Sequence, residues 1–219
     1  MDEICQQEIS NHIQQPQLDE AIIIHELLNQ LPDNCLLFSG NSMPIRDINS
    51  FMSGREHGDK NIELVCNRGA SGIDGNLSTF AGHMSHKKQR PAIAMVGDLT
   101  FYHDMNGLLK LRELSQQNYN GTVIIINNNG GGIFSYLPQQ QLSDFESFWL
   151  SSTDLDFRHA ADLYSLKFHS VANRQQLNQS LTEAVHNNGV NIIEITLQRE
   201  ASVKIHQQLW QRIIHQIDS

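Results

Sequence analysis

The chain has 219 residues, of which 39% are hydrophobic, so it can bury one sizeable core and could just accommodate two. A formal net charge of −9 argues against a nucleic-acid or anionic-membrane surface, because such surfaces are bound through basic side chains. Three widely spaced cysteines and the lack of an apolar run of about 18 residues argue against a disulfide framework and a membrane span, and they fit a cytoplasmic protein.

The chain opens with a polar segment and then alternates helices with short apolar strands. Residues 1–17 are rich in glutamine, and we predict an irregular arm or linker there. Apolar residues recur at helical spacing from Leu18, and Pro32 stops that helix. A short buried strand is predicted over Cys35–Ser39. The strand leads into residues 40–47, Gly-Asn-Ser-Met-Pro-Ile-Arg-Asp.

Residues 40–47 contain the first candidate binding residues. Asn41 and Ser42 offer polar groups, and Pro44 favours the first turn of a helix that would present Arg46. The Arg46 guanidinium could hold a carboxylate in bidentate fashion. The alternative is a solvated helix arginine paired with Asp47, and the chemistry of the residues leaves both open.

A second glycine-containing run follows the next predicted strand. We predict a polar loop over 53–60 and a strand over Ile62–Cys66, which ends in residues 67–75, Asn-Arg-Gly-Ala-Ser-Gly-Ile-Asp-Gly. Three glycines and two small residues allow a ligand to approach the backbone closely. Arg68 adds a cation and Ile73 an isolated apolar side chain.

The helix predicted after this run extends to Lys88 and carries two histidines. His83 and His86 are three positions apart, but no third ligand lies nearby in the sequence. Such a pair is more typical of surface or packed histidines than of a metal site.

The strongest chemical signal lies at the ends of two apolar strands. Residues 92–96 predict a strand covered on both faces, and it ends at Gly97 and Asp98. After one predicted crossover helix, a strand over 123–126 ends in three asparagines and three glycines. The carboxyl ends of neighbouring parallel strands open at the same edge, so the Asp98 carboxylate and the Asn128 amide can face one small volume.

These groups favour a metal–diphosphate site. A carboxylate, an amide oxygen and a backbone carbonyl, most plausibly that of Gly130, suit Mg²⁺, which takes its other ligands from phosphate and water. A helix starting near Thr100 would point free N–H groups at the same place. The alternative is a plain strand–turn–helix with an aspartate N-cap and an asparagine-rich turn.

The rest of the sequence sets the fold class. Ile133 and Phe134 could belong to a mobile flap over the site or could plug the core. No G-x-G-x-x-G or P-loop run follows a strand, which weakens dinucleotide and P-loop interpretations. The alternation predicts an α/β fold: a doubly wound, mostly parallel sheet of about six strands with helices on both faces. The remaining predicted elements are helices over 157–165, Arg174–His186 and the C-terminal end, and strands over 168–171 and 192–197.

A general signature and three specific runs resemble known families. The glycine–aspartate pair, the crossover and the double asparagine resemble the diphosphate-binding signature of thiamine-diphosphate enzymes. Residues 40–47, 67–75 and 127–134 together resemble the C-terminal domain of the 2-succinyl-5-enolpyruvyl-6-hydroxy-3-cyclohexene-1-carboxylate (SEPHCHC) synthases of menaquinone biosynthesis. The resemblance covers residues 18–200 and implies the thiamine-diphosphate-binding fold.

The resemblance also implies roles for individual residues. Asp98, Asn128 and Gly130 would hold Mg²⁺ or Mn²⁺. Ser42, Arg46 and Arg68 would bind substrate carboxylates, and Ile73 would lie under the cofactor. The residues implied to contact thiamine diphosphate are Asn41, Ser42, Gly72, Ile73, Gly97, Asp98, Leu99, Thr100, Asn128, Gly130, Ile133 and Phe134.

By the same resemblance, the full enzyme decarboxylates 2-oxoglutarate and adds the succinyl carbanion to isochorismate, as a homodimer or tetramer. Family members are more than twice as long and begin with a pyrimidine-binding domain, whose glutamate activates the cofactor. We therefore expect 1–17 to be an arm and 18–219 to be the diphosphate-binding domain. The pyrimidine-binding and central domains are absent, so this chain alone should be inactive unless a missing domain or partner chain completes it. The alternatives are another thiamine-diphosphate 2-oxoacid decarboxylase, similar to acetolactate synthase, and a non-catalytic interaction module.

Overall fold

In a computed structural model, which describes residues 2–52, 60–88 and 90–218, the fold is built on one sheet. Every strand pairing in it is parallel, so the predicted doubly wound α/β architecture is confirmed. No helix in these ranges is long and apolar enough to cross a bilayer. The strands are β1 Cys35–Ser39, β2 Ile62–Cys66, β3 Ala92–Gly97, β4 Asn120–Asn127, β5 Lys167–Val171 and β6 Gly189–Thr196, in the spatial order β2-β1-β3-β4-β6-β5.

Helices cover both faces of the sheet, and each face has its own apolar core. Successive strand residues point to opposite sides, so Ile93 and Met95 join one core while Ala94 and Val96 join the other. The α-helices are α1 Asp2–His12, α2 Glu20–Gln30, α3 Met43–Phe51, α4 Asn76–His86, α5 Asp98–His103, α6 Leu108–Gln116, α7 Arg158–Leu163, α8 Arg174–His186 and α9 Arg199–Asp218. Residues of α2, α8 and α9 fill the first core, and residues of α4, α6 and α7 fill the second.

The strand order creates a crevice at one edge of the sheet. The chain passes from β1 outward to β2 and then returns to β3 on the other side of β1, so the direction of winding reverses between β1 and β3. Ligands of open α/β sheets bind at such a reversal, outside the carboxyl ends of the strands. Gly97 lies beside Ile126 in the register of β3 and β4, which places the segments that follow them next to each other.

The prediction of an irregular conformation for residues 1–17 is wrong for most of that segment, because Asp2–His12 forms a helix. Its sequence is polar, and the helix is held by tertiary contacts. The Glu8 carboxylate accepts hydrogen bonds from Arg212 (3.3 Å) and Gln216 (2.5 Å) of α9. His12 Nε2 lies 2.5 Å from Asp19 Oδ2, at the start of α2. Packing rather than local propensity therefore makes this segment helical.

The single crossover helix predicted after Asp98 is also wrong. The chain forms α5, a 3₁₀ turn over Met105–Gly107 and then α6. The Asp104 carboxylate accepts from Ser78 N (2.8 Å) and Ser78 Oγ (3.2 Å) of α4, which holds the break in place. The apolar side chain of Leu109, in α6, is 52% exposed. The predicted polar loop over 53–60 lies, apart from Lys60, outside the described residues.

Arg174 of α8 connects three helical segments, and we expect Arg174→Ala to destabilise the fold. Its Nε donates to Glu26 Oε1 (2.6 Å), and its Nη1 donates to the Ile13 carbonyl oxygen (2.7 Å). Truncation leaves the nearly buried Glu26 carboxylate unpaired, so the free energy of unfolding should fall by about 2–3 kcal/mol in urea denaturation. Lys110→Ala, which removes an exposed ion pair with Glu113, is the control and should cost less than about 0.5 kcal/mol. An equal effect of both substitutions would contradict the stabilising role of Arg174.

Candidate functional site

A cavity of about 550 Å³ lies at the sheet edge where the direction of winding reverses. Most of its wall is built from the segments that follow β1, β2, β3 and β4. Gly72 is the one candidate residue outside the lining, and its carbonyl oxygen accepts from Asn41 Nδ2 (2.7 Å), just behind the wall. The candidates that line the cavity are Asn41, Ser42, Arg46, Arg68, Ile73, Gly97, Asp98, Leu99, Thr100, Asn128, Gly130, Ile133 and Phe134.

Asp98 joins the ends of β3 and β4. Its Oδ1 accepts from Leu99 N (2.9 Å), and its Oδ2 accepts from Gly130 N (2.6 Å) across the gap between the two strands. The residue is only 3% exposed, and burial raises the pKa of its carboxyl to about 6, although these N–H groups partly offset the effect. The two strand ends therefore meet, with Asp98, Asn128 and Gly130 on one cavity wall.

The glycines of this wall differ in whether a side chain would fit at their position. Gly130 has a φ of +131°, and a Cβ there would lie 2.4 Å from the Leu150 carbonyl oxygen. A Cβ on Gly132 would lie 2.3 Å from Asn128 Nδ2. Both positions are thus fixed by contacts within the chain. A Cβ on Gly97 would meet no atom within 4 Å, so this glycine leaves open space beside Asp98.

The groups at this edge fit a divalent cation carrying a diphosphate. In the described ranges no cluster of three or more His, Cys, Asp or Glu side chains could hold a metal ion, so a cation here would use one carboxylate together with amide and backbone oxygens. Asp98, Asn128 and the Gly130 carbonyl could supply that set, which suits Mg²⁺ because this ion keeps water and phosphate as its remaining ligands. Asn41 Oδ1 is buried and has no hydrogen-bond partner, so it can accept a donor from a ligand.

The two candidate arginines lie where the cavity opens. Arg46 and Arg68 are exposed, and both also line a neighbouring, largely apolar groove of about 1000 Å³. Arg46 Nη1 donates to the Ser42 carbonyl oxygen (2.7 Å). Within the described ranges it forms no ion pair with Asp47, so the alternative of a paired helix arginine is not observed.

The apolar pair Ile133 and Phe134 lies at the cavity, whereas the two histidines of α4 lie on the surface. Ile133 and Phe134 are half-buried, line the cavity and belong to neither core cluster, so they do not plug the core. The Phe134 ring meets the Trp149 ring edge-on at 5.4 Å. His83 and His86 are exposed on α4, as expected of surface histidines.

The cavity lining also includes polar and aromatic side chains that were not among the candidates, including those of Glu20, Asp47, Trp149 and Ser151. Burial raises the pKa of the Glu20 and Asp47 carboxyls, and the Glu20 charge raises that of Asp47 further. Asp47 follows Arg46 in the quoted run and could have been included on that ground. Trp149 and Ser151 lie in a segment without periodicity and offered no signal.

The fold has a close structural counterpart. An X-ray structure from Mycobacterium smegmatis, described as a thiamin diphosphate-dependent enzyme, superposes with a TM-score of 0.64 and covers 82% of this chain and 32% of that chain. The sequences are 14% identical, so this similarity supports the fold alone.

Sequence relatives are more specific. A SEPHCHC synthase from Listeria innocua is 43% identical over 197 residues, which cover 90% of this chain. A SEPHCHC synthase from Geobacillus kaustophilus is 36% identical over 220 residues, which cover 99% of this chain. The chain spans about a third of their length, 33% and 36% respectively. Residues 67–195, more than half of the chain, match the model of the thiamine pyrophosphate enzyme C-terminal TPP-binding domain. The chain therefore belongs to the family of C-terminal TPP-binding domains of thiamine pyrophosphate enzymes, and it is related to the SEPHCHC synthases.

Proposed function

We propose that residues 18–219 form the diphosphate- and Mg²⁺-binding domain of a cytoplasmic SEPHCHC synthase, with residues 1–17 as its connecting arm. The observation that carries the proposal is that residues of all three family-like runs, 40–47, 67–75 and 127–134, line the cavity that also contains Asp98. The names of the relatives at 36–43% identity support the substrate assignment, 2-oxoglutarate and isochorismate. A pyrimidine-binding domain, supplied by further chain or by a partner in a homo-oligomer, would complete the site.

The proposed roles follow from the chemistry of the side chains. When bound, thiamine diphosphate supplies the electron sink for decarboxylation and carbon–carbon bond formation. Asp98 would offset the charge of the cation, while Asn128 and Gly130 would add neutral oxygen ligands. Arg46 and Arg68, together with Ser42, would bind the carboxylates of the two substrates at the mouth of the cavity.

The apolar residues have a separate task. Ile133 and Phe134 would form a wall that limits water, while Ile73 would support the cofactor from below.

Asn41 and the backbone of Gly97, Leu99 and Thr100 would lie against the diphosphate of the cofactor and its neighbouring atoms. The 3% exposure of Asp98 favours a strong interaction with a cation, because electrostatic attraction increases as water is excluded.

The proposal is tested by titrating thiamine diphosphate into the chain in a calorimeter, with Mg²⁺ and with EDTA. We expect heat of binding only with Mg²⁺. Turnover of 2-oxoglutarate plus isochorismate is then measured for this chain alone and after fusion to the missing domains of a relative, with pyruvate as the competing 2-oxoacid. Activity confined to the fusion with 2-oxoglutarate and isochorismate would support the proposal. A preference for pyruvate, or strong activity of the chain alone, would overturn it.

We expect the binding of Mg²⁺ with thiamine diphosphate to weaken as the pH falls below the pKa of Asp98. Only the ionised carboxyl coordinates a cation, and burial raises its pKa to about 6. Lowering the pH from 7 to 5 reduces the ionised fraction from about nine-tenths to about one-tenth, so the apparent affinity should fall about tenfold. Calorimetry at both pH values measures this. An affinity that does not change between them would contradict the role of Asp98.

A further inference from the structure

The last residue of β4, Asn127, begins a run of three asparagines, and the side chains of the three residues make different contacts. Asn128 lines the cavity. Asn127 Nδ2 donates to Glu194 Oε1 (2.7 Å) on the adjacent strand β6, and Asn127 Oδ1 accepts from Asn129 N (3.0 Å). Asn127 therefore links the turn to the sheet, through a glutamate that is itself nearly buried.

Asn129 is linked in the other direction, to the segment after Leu150. Its Nδ2 donates to Asp154 Oδ1 (2.7 Å), and Asp154 N donates back to Asn129 Oδ1 (3.3 Å). Ser152 Oγ also donates to the Asn129 carbonyl oxygen (2.8 Å). Asn129 and Asp154 both have positive φ, 58° and 50°, a conformation that surrounding contacts must stabilise in a residue other than glycine.

We propose that Asn127 and Asn129 are positioning residues for a divalent cation with a diphosphate, and that Glu194 and Asp154 are their anchors. The inference rests on the proposed function. Asn129 stands between Asn128 and Gly130, the two turn residues proposed as cation ligands, so a change in its backbone angles would redirect both oxygens. The contacts form a continuous series from Glu194 through Asn127 and Asn129 to Asp154, and this series fixes the turn on both sides.

The series explains why asparagine occupies positions 127 and 129. Asn127 must donate to a carboxylate and accept from an N–H at the same time, which aspartate cannot do. Asn129 must also donate and accept, and asparagine tolerates positive φ better than most residues. Partners that orient a metal ligand usually contribute to affinity for the metal, even though they do not touch it.

The test uses the whole chain and measures binding of Mn²⁺ in the presence of thiamine diphosphate, by the electron paramagnetic resonance signal of free Mn²⁺. Asn129→Gly keeps the positive φ and removes only the side-chain contacts, and Asp154→Ala removes the anchor. Each should weaken Mn²⁺ binding about tenfold. Asn118→Gly is the matched control: Asn118 is an exposed asparagine with a φ of 60°, located before β4 at the opposite edge of the sheet. It should bind Mn²⁺ as the wild type does.

An exchange of the two side chains separates positioning from general stability. Asn129→Asp places two carboxylates side by side and should weaken binding at least as much as Asn129→Gly. Asp154→Asn retains an acceptor oxygen and should have a small effect. The double variant N129D/D154N restores a donor–acceptor pair, and it should recover most of the affinity lost in Asn129→Asp. Circular dichroism verifies that each variant is folded.

The outcomes distinguish this inference from the proposed function. If the wild type binds Mn²⁺ with thiamine diphosphate and Asn129→Gly binds it equally well, the positioning role is overturned. If the wild type does not bind, the proposed function fails, and hydrogen exchange of the free chain still tests the contacts. Amides 128–132 should exchange faster in Asn129→Gly than in Asn118→Gly, and equal exchange would overturn the inference.

Discussion

Asp98→Ala is expected to abolish Mg²⁺-dependent binding of thiamine diphosphate by this chain. Asp98 is the one carboxylate among the three proposed ligands, and the other two are neutral oxygens. Without it, neither Asn128 nor Gly130 can offset the charge of the cation, and affinity should fall by at least about 100-fold. Calorimetric titration with Mg²⁺ present measures the loss.

The loss should not arise from unfolding. Burial raises the pKa of Asp98, so the folded chain binds its proton more tightly than the unfolded chain does. The stability of the metal-free fold therefore falls as the pH rises through about 4 to 6, and the ionised carboxylate is unfavourable to that fold at pH 7. Asp98→Ala should consequently melt near the wild-type temperature. Asp162→Ala, at an exposed position of α7, is the control. Wild-type affinity in Asp98→Ala would contradict the metal site.

Gly130→Ala is expected to have the largest effect on stability among substitutions in the turn. A φ of +131° is accessible to glycine and strained for alanine, and the new Cβ would lie 2.4 Å from the backbone oxygen of Leu150. Neither the turn nor the segment at Leu150 can move without losing the bond from Gly131 N to Leu150 O (2.6 Å). The free energy of unfolding should fall by about 3 kcal/mol in urea denaturation, and Mg²⁺-dependent binding should be lost.

Gly82→Ala is the matched comparison and should act in the opposite direction. Gly82 is exposed within α4, and a Cβ there would meet no atom within 4 Å. Alanine favours a helix over glycine by about 1 kcal/mol, so this variant should be slightly more stable than the wild type. If Gly130→Ala were as stable as Gly82→Ala, the tight fit of the turn would be refuted.

The sequence predicted those parts of the fold that are local or repetitive. The predictions for β1, β2 and α8 match the structure, because strands appear as short, mostly apolar runs and helices as periodic ones. Helix α1 was missed because contacts to Arg212 and Gln216, far along the chain, stabilise it. The break between α5 and α6 was missed because it depends on Asp104 bonding to α4.

In the site, too, residues that follow strands could be predicted from the sequence, whereas residues that depend on distant contacts could not. Asp98 and Asn128 could be brought together from sequence because both follow strands of one parallel sheet. Glu20 and Trp149 could not, since they reach the cavity from a helix start and from an aperiodic segment. The anchors Glu194 and Asp154 also lacked a signal in the sequence.

The most direct test is the crystal structure of this chain with Mn²⁺ and thiamine diphosphate, in which anomalous scattering locates the metal. We expect one Mn²⁺ bound to an Asp98 carboxylate oxygen, the Asn128 amide oxygen, the Gly130 carbonyl oxygen and the diphosphate. A diphosphate in the cavity with no metal at Asp98, or a metal bound by other residues, would contradict this expectation.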